Sequence, residues 1–74
     1  MDKKRRTKLH SIIITLETMK KNLNDVLEEE KYKFDCMPEN LQGSRRGTES
    51  EDAIDAMEES VDTLGKIIND LNSI

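Results

Sequence analysis

Apolar residues recur every three or four positions along two long stretches of the chain, and this spacing constrains the fold most strongly. The first series contains Leu9, Ile12, Leu16, Met19, Leu23 and Val26, with Ile13 and Leu27 on one flank. The second series contains Ile54, Met57, Val61, Leu64, Ile68 and Leu71, with Ala53, Ile67 and Ile74 beside it. Such spacing is typical of a helix that buries one stripe, so the sequence predicts two amphipathic helices.

The predicted helices span residues 3–34 and 50–73. Thr48 and Glu51 have the spacing of a capping box, and Ser50 is an alternative N-cap. The second helix is therefore expected to begin near residue 49 or 50. A structured loop of residues 35–47 would join the two helices.

Two helices with one apolar stripe each pack most simply as an antiparallel hairpin. With a rise of about 1.5 Å per residue, the helices would be about 45 and 35 Å long. We therefore expect residues 1–74 to form a single all-α domain, an antiparallel two-helix hairpin.

Gly65 stands inside the second apolar series, immediately after Leu64. A glycine within a helix costs about 1 kcal/mol relative to alanine. Close approach of another helix and simple tolerance near a fraying end both explain it, and the sequence leaves both open.

The chain is too short to bury a large core by itself. It has 74 residues, and a domain of this size buries only about 60% of its unfolded surface. Its single cysteine, Cys36, has no intramolecular partner, so we expect a free thiol and no stabilising disulfide. Self-association is the remaining source of core, and it predicts a homodimer or higher oligomer resembling a four-helix bundle. Such an assembly would cover the flanking residues Ile13, Leu27, Ile67 and Ile74. Ile14 points away from the stripe, either as a lone exposed residue or as a contact with a partner.

Charge is unevenly distributed along the chain. Residues 1–8 carry five cations and one anion, whereas the whole chain has a net charge of −4, so residues 9–74 sum to −8. An acidic body argues against general nucleic-acid binding, which depends on cations that neutralise phosphates. No run approaches the roughly 20 apolar residues of a membrane span, and the N-terminal residues do not resemble a signal peptide. We expect no membrane association and a cytoplasmic location.

The loop contains a cluster of hydrogen-bonding residues that the fold does not obviously require. These residues are Asn40, Gln42, Ser44, Arg45 and Arg46. Two guanidinium groups within such a cluster could clamp a phosphate, a carboxylate or a partner's backbone. The alternative is structural: the cluster ties the loop to the helix ends, and the arginines offset the acids at residues 28–30. The basic run of Lys3, Lys4, Arg5 and Arg6 is a possible secondary anion-binding site.

The run MPENLQGSRRG, followed by ESEDAIDAMEESVDTL, resembles a family of small proteins found in Firmicutes genomes and in their phages and prophages. In that family a charged helix leads into a loop of the form MPENLQ-S-x-R and then into a second, acidic helix. The resemblance covers roughly residues 28–72. Within the loop the matching residues are Met37, Pro38, Glu39, Asn40, Leu41, Gln42, Ser44 and Arg46. The resemblance implies a helical hairpin and a phage or mobile-element setting.

Catalysis is not expected. His10, the single histidine, and Cys36 would lie at opposite ends of an antiparallel hairpin and could not form a catalytic pair. No catalytic residue, cofactor or metal site is predicted. We expect a non-enzymatic interaction protein that binds and inhibits a host defence factor. One alternative is an oligomer that sequesters a nucleotide signal or another small anion through its loop arginines, and another is a structural accessory without a ligand.

Overall fold

The computed structural model describes all 74 residues and contains three helices. They are α1 (Lys3–Asp35), α2 (Glu39–Gln42) and α3 (Arg45–Asn72). The long helices α1 and α3 pack side by side in a hairpin of 58 × 15 × 13 Å, and α2 is a single turn between them. The predicted all-helical hairpin is therefore confirmed. Neither long helix carries the apolar stretch that crossing a bilayer would require.

Helix α3 begins five residues earlier than the predicted start at residue 50. Ser44 is its N-cap, and the Ser44 hydroxyl accepts a hydrogen bond of 3.4 Å from the backbone N–H of Gly47. The same hydroxyl donates to the carbonyl of Leu41. Because Ser44 already satisfies the first turn, the predicted caps Thr48 and Ser50 lie within the helix, and the connecting segment shortens to residues 36–44.

Ser50 has a different role from the predicted cap. It is buried on the side of α3 that faces α1, and its hydroxyl donates a 3.0 Å hydrogen bond to the carboxylate of Glu30. This bond links α1 to α3 close to the loop.

The contact stripe of α1 differs from the predicted one. Ile13 and Leu27, expected on the flank, are its most buried residues, whereas Ile12, Met19 and Val26 are about half exposed. The residues that face α3 are Leu9, Ile13, Leu16, Lys20, Leu23, Leu27, Glu30 and Phe34. This series has the same spacing as the predicted one but continues to Phe34, whereas the predicted series would continue after Val26 through Glu30 to the charged Lys33. The longer stripe therefore allows α1 to contact α3 up to the loop.

The contact stripe of α3 matches the prediction. Ile68 is buried, and Ile54, Met57, Val61, Leu64 and Leu71 are half-buried.

Lys20 of α1 lies against Gly65 of α3. It occupies a place in the α1 stripe, and a Cβ atom added to Gly65 would lie 3.1 Å from its Nζ atom. The nearest atoms to that position are Nζ and Cε of Lys20, so Gly65 leaves room for the ammonium end of the lysine side chain to lie against α3. The close approach at Gly65 is therefore made by the side chain of Lys20 and not by a helix backbone.

The segment between α1 and α3 is held by backbone contacts. The side-chain amide of Gln42 donates hydrogen bonds of 3.2 Å to the carbonyls of Phe34 and Met37. A Cβ atom at Gly47 would overlap the backbone of Gln42, so only glycine lets the first turn of α3 pack directly on α2. Met37 is half-buried, whereas Leu41 is 45% exposed. Cys36 is exposed, and its thiol is free.

Candidate functional site

Two of the five predicted loop residues are used within the hairpin. Gln42 bonds to two carbonyls, and Ser44 caps α3. Their side chains therefore have structural partners, as the structural alternative for the loop expected.

The other three residues are exposed. Arg45 Nε lies 3.2 Å from Glu49 Oε1, one turn along α3. Arg46 lines a shallow groove that also contains Lys33 and the carboxylate-bearing residues Glu30 and Glu49. Among the five, Arg46 and Asn40 have the side chains that remain available to a partner.

The basic run forms the first turn of α1, at the opposite end of the hairpin from the loop. Asp2 caps this helix and accepts a 2.8 Å hydrogen bond from the backbone N–H of Arg5. Arg6 Nε donates to the carbonyl of Met1 at 3.4 Å. The predicted primary and secondary sites therefore do not combine within one chain.

A second surface emerges from the fold. Ten exposed or half-buried residues form what we call the uncharged face. On α1 they are Ile12, Thr15, Met19, Asn22 and Val26; on α3 they are Ala53, Ala56, Ser60, Thr63 and Ile67. Lys, Arg, Asp and Glu make up 38% of the chain, so ten adjoining positions without charge are a marked departure from the rest of its surface.

The two halves of the uncharged face lie on the same side of the hairpin. Lys33 of α1 and Ala53 of α3 line one groove. Residues seven apart in a helix lie two turns apart on the same side. Steps of seven from Lys33 reach Val26, Met19 and Ile12, and steps of seven from Ala53 reach Ser60, Ile67 and Ile74. The two series are therefore neighbours along the hairpin.

The hydroxyl groups of the uncharged face are already hydrogen-bonded. Thr15 donates to the carbonyl of Ser11 at 3.0 Å, Ser60 to Ala56 at 2.8 Å and Thr63 to Glu59 at 2.9 Å. Each bond runs one turn back along its own helix, so a partner could cover these side chains without leaving their donors unpaired.

The opposite side of the hairpin, which we call the charged face, is different in character. Its residues include Glu17, Lys21, Lys31, Glu51, Asp55 and Glu58, which line two grooves or pair across them. Lys31 Nζ lies 3.6 Å from Glu58 Oε1 and 3.7 Å from Glu28 Oε1, which connects the two helices. Burying such a surface would require desolvation of many charges.

The uncharged face is not apparent from the apolar spacing alone. That spacing assigns Ile12, Met19 and Val26 to the intramolecular stripe, and it gives no role to Ala56, Ser60 and Thr63. The available signal was the spacing of seven residues in both helices, at positions 12, 19 and 26 and at positions 53, 60 and 67.

No group of three or more His, Cys, Asp or Glu residues is arranged to hold a metal ion. Comparison of the chain with protein-family models, curated proteins and solved structures finds no match. The resemblance of the loop to the phage and prophage family therefore stays a prediction from the loop motif.

Proposed function

We propose that this protein is a non-enzymatic interaction protein that acts by docking its helices on other protein surfaces. The observation that carries the proposal is the uncharged face, where Ile12, Met19 and Val26 are about half exposed with no helix of the same chain to cover them. Contiguous exposed apolar surface bordered by polar residues is typical of protein–protein contact sites. Self-association as a homodimer or higher oligomer is part of this proposal.

The mobile-element setting implied by the loop motif gives the proposal its specific form, inhibition of a host defence factor. Residues 49–62 of α3 contain seven acidic residues and no basic one, and all seven acids are exposed. A rigid acidic surface complements a basic site intended for nucleic acid or for another subunit, and it speeds encounter with such a site.

Sequestration of a nucleotide or another small anion is the second candidate. The observation in its favour is that Lys33 and Arg46 line one groove near the loop. Glu30 and Glu49 line the same groove, so its formal charge balances to zero and an anion would gain little there. A thermal-shift screen against nucleotides tests this candidate, which requires a rise in melting temperature that Arg46→Ala abolishes. A structural accessory without a ligand is the third candidate.

Site-specific photocrosslinking in producing cells tests the docking proposal. A photoreactive residue replaces Asn22 on the uncharged face, Glu28 on the charged side or Asn40 in the loop. We expect abundant protein adducts from position 22. Adducts from position 28 with a protein other than this chain would identify the acidic surface as a host-factor site.

Adduct mass separates the outcomes. An adduct of twice the 8.5 kDa chain mass is a second copy, and any other mass is a heterologous protein. If no position yields a protein adduct, or if only position 40 does, docking through the helices is wrong.

A further inference from the structure

We infer that the uncharged face is a self-association interface, in which α1 of each protomer packs over α3 of a second copy of the chain. This inference rests on the proposed interaction function and names the occupant of the uncharged face. Two features support it: complementary shape and absence of charge.

The shape of the uncharged face is self-complementary. Its α1 half carries the large side chains Ile12, Met19 and Val26, which protrude because they are about half exposed. Its α3 half has the smaller side chains Ala53, Ala56, Ser60 and Thr63 in addition to Ile67, and one shallow groove there is lined by Ala56, Glu59, Ser60, Thr63 and Leu64. Residues 56, 59, 60 and 63 have the i, i+3, i+4, i+7 spacing of a hole that receives one side chain of a facing helix.

The protruding side chains of α1 and the hole on α3 lie at similar levels along the long axis of the hairpin. Lys20 lies against Gly65, and Ser50 bonds to Glu30, so the levels of Met19 and Val26 correspond to residues from about 54 to 66 of α3. A two-fold axis parallel to the hairpin therefore places α1 of one copy over α3 of the other, with Val26 nearest to the partner's hole. Packing α1 on α1 would instead set large side chains against large ones.

The charge distribution favours a copy of this chain as the occupant. Two identical surfaces that carry a net charge repel each other, whereas the ten residues of the uncharged face carry no charge of their own. Its hydroxyls are bonded within their own helices. Charged residues border it: Lys33, Arg46 and Glu49 surround the groove at its loop end, and Glu59 lines the edge of the hole on α3. An uncharged centre with a charged margin is the usual arrangement of a protein interface.

The single hairpin also leaves its core largely open. A single chain of this kind buries only five residues, so a second copy would roughly double the number of helices around the core.

The test uses a matched pair of isoleucines. Ile12 is 52% exposed on the uncharged face, and Ile14 is 51% exposed two residues further on, on the other side of α1. Wild type, Ile12→Glu and Ile14→Glu are compared by sedimentation equilibrium at micromolar concentration. We expect a mass of about twice the 8.5 kDa chain for wild type and Ile14→Glu, and of one chain for Ile12→Glu.

Helicity measured by circular dichroism accompanies each mass. If Ile12→Glu unfolds as it dissociates, the melting temperature of wild type decides, because a dimer melts at higher temperature as protein concentration rises. A melting temperature that is constant over a hundredfold range of concentration overturns the inference.

Two other results would also overturn the inference. A monomeric wild type contradicts self-association and leaves only docking on a different protein as the proposed function. Equal dissociation of Ile12→Glu and Ile14→Glu means that the interface is not on the uncharged face.

Discussion

The loop and the uncharged face differ in how their side chains are used. The loop has the more distinctive residues, yet Gln42, Ser44 and Gly47 are engaged in holding α2 between the two long helices. The uncharged face has ordinary residues, yet Ile12, Met19 and Val26 have no covering helix in their own chain. Distinctive residues can therefore be required by a tight connection, whereas a plain stripe of residues can be the surface that needs a partner.

Two neighbouring residues of α1 give the largest expected contrast between covered and uncovered stripes. Leu27 is 3% exposed, and Val26 is 51% exposed. Leu27→Ala should lower the free energy of unfolding by roughly 2–5 kcal/mol because it leaves a cavity between the helices. Val26→Ala should cost less than half as much in the isolated hairpin. Urea denaturation of both variants, at a concentration where sedimentation shows a single chain, measures the difference, and equal losses there would mean that α1 is rotated from the orientation described.

A second contrast concerns the two glycines beside α2. Gly47→Ala places a methyl group against the backbone of Gln42, so we expect a loss of roughly 1–3 kcal/mol. Gly43→Ala is the control, because a Cβ atom there meets nothing within 4 Å. It should leave stability unchanged or raise it by about 0.4–1 kcal/mol through the unfolded chain. If both alanines are tolerated equally, α3 does not pack on α2 as described.

A third contrast compares Gln42, which is hydrogen-bonded within the hairpin, with Arg46, which is exposed. Gln42→Ala removes two hydrogen bonds, each worth about 0.5–1.5 kcal/mol, and should lower the melting temperature by several degrees. Arg46→Ala changes an exposed side chain and should alter stability by less than about 0.5 kcal/mol. Scanning calorimetry measures both. A larger loss for Arg46→Ala would make that arginine a structural tie.

The sequence predicts the two long helices because both apolar series are long and regular. It does not predict which of two adjacent stripes on α1 faces α3. Positions 12, 19 and 26 and positions 13, 20 and 27 have the same period, and Lys20 makes the second series look less apolar. The choice depends on Phe34 and Gly65, which are distant from each other in sequence and affect the stripe only once the helices are packed.

The site is less predictable than the fold for a related reason. Ser44, Thr48 and Ser50 are all acceptable N-caps, and local propensity cannot rank them. The outcome depends on the close contact of Gly47 with Gln42, which forms only when α2 folds back onto α3. For the same reason, the residue type of Gln42 does not show whether its side chain bonds to its own chain or to a partner.

Methionine oxidation tests most directly whether the uncharged face is covered in solution. Met19 lies on that face and is 51% exposed in the single hairpin, and Met1 at the chain end is 60% exposed. Peroxide converts exposed methionine to its sulfoxide, and mass spectrometry of peptides gives the rate at each residue. If a second copy covers the face, Met19 oxidises several-fold more slowly than Met1 in concentrated wild-type protein, and dilution or Ile12→Glu removes this protection. Equal oxidation of Met19 and Met1 in wild type at every concentration would contradict the account.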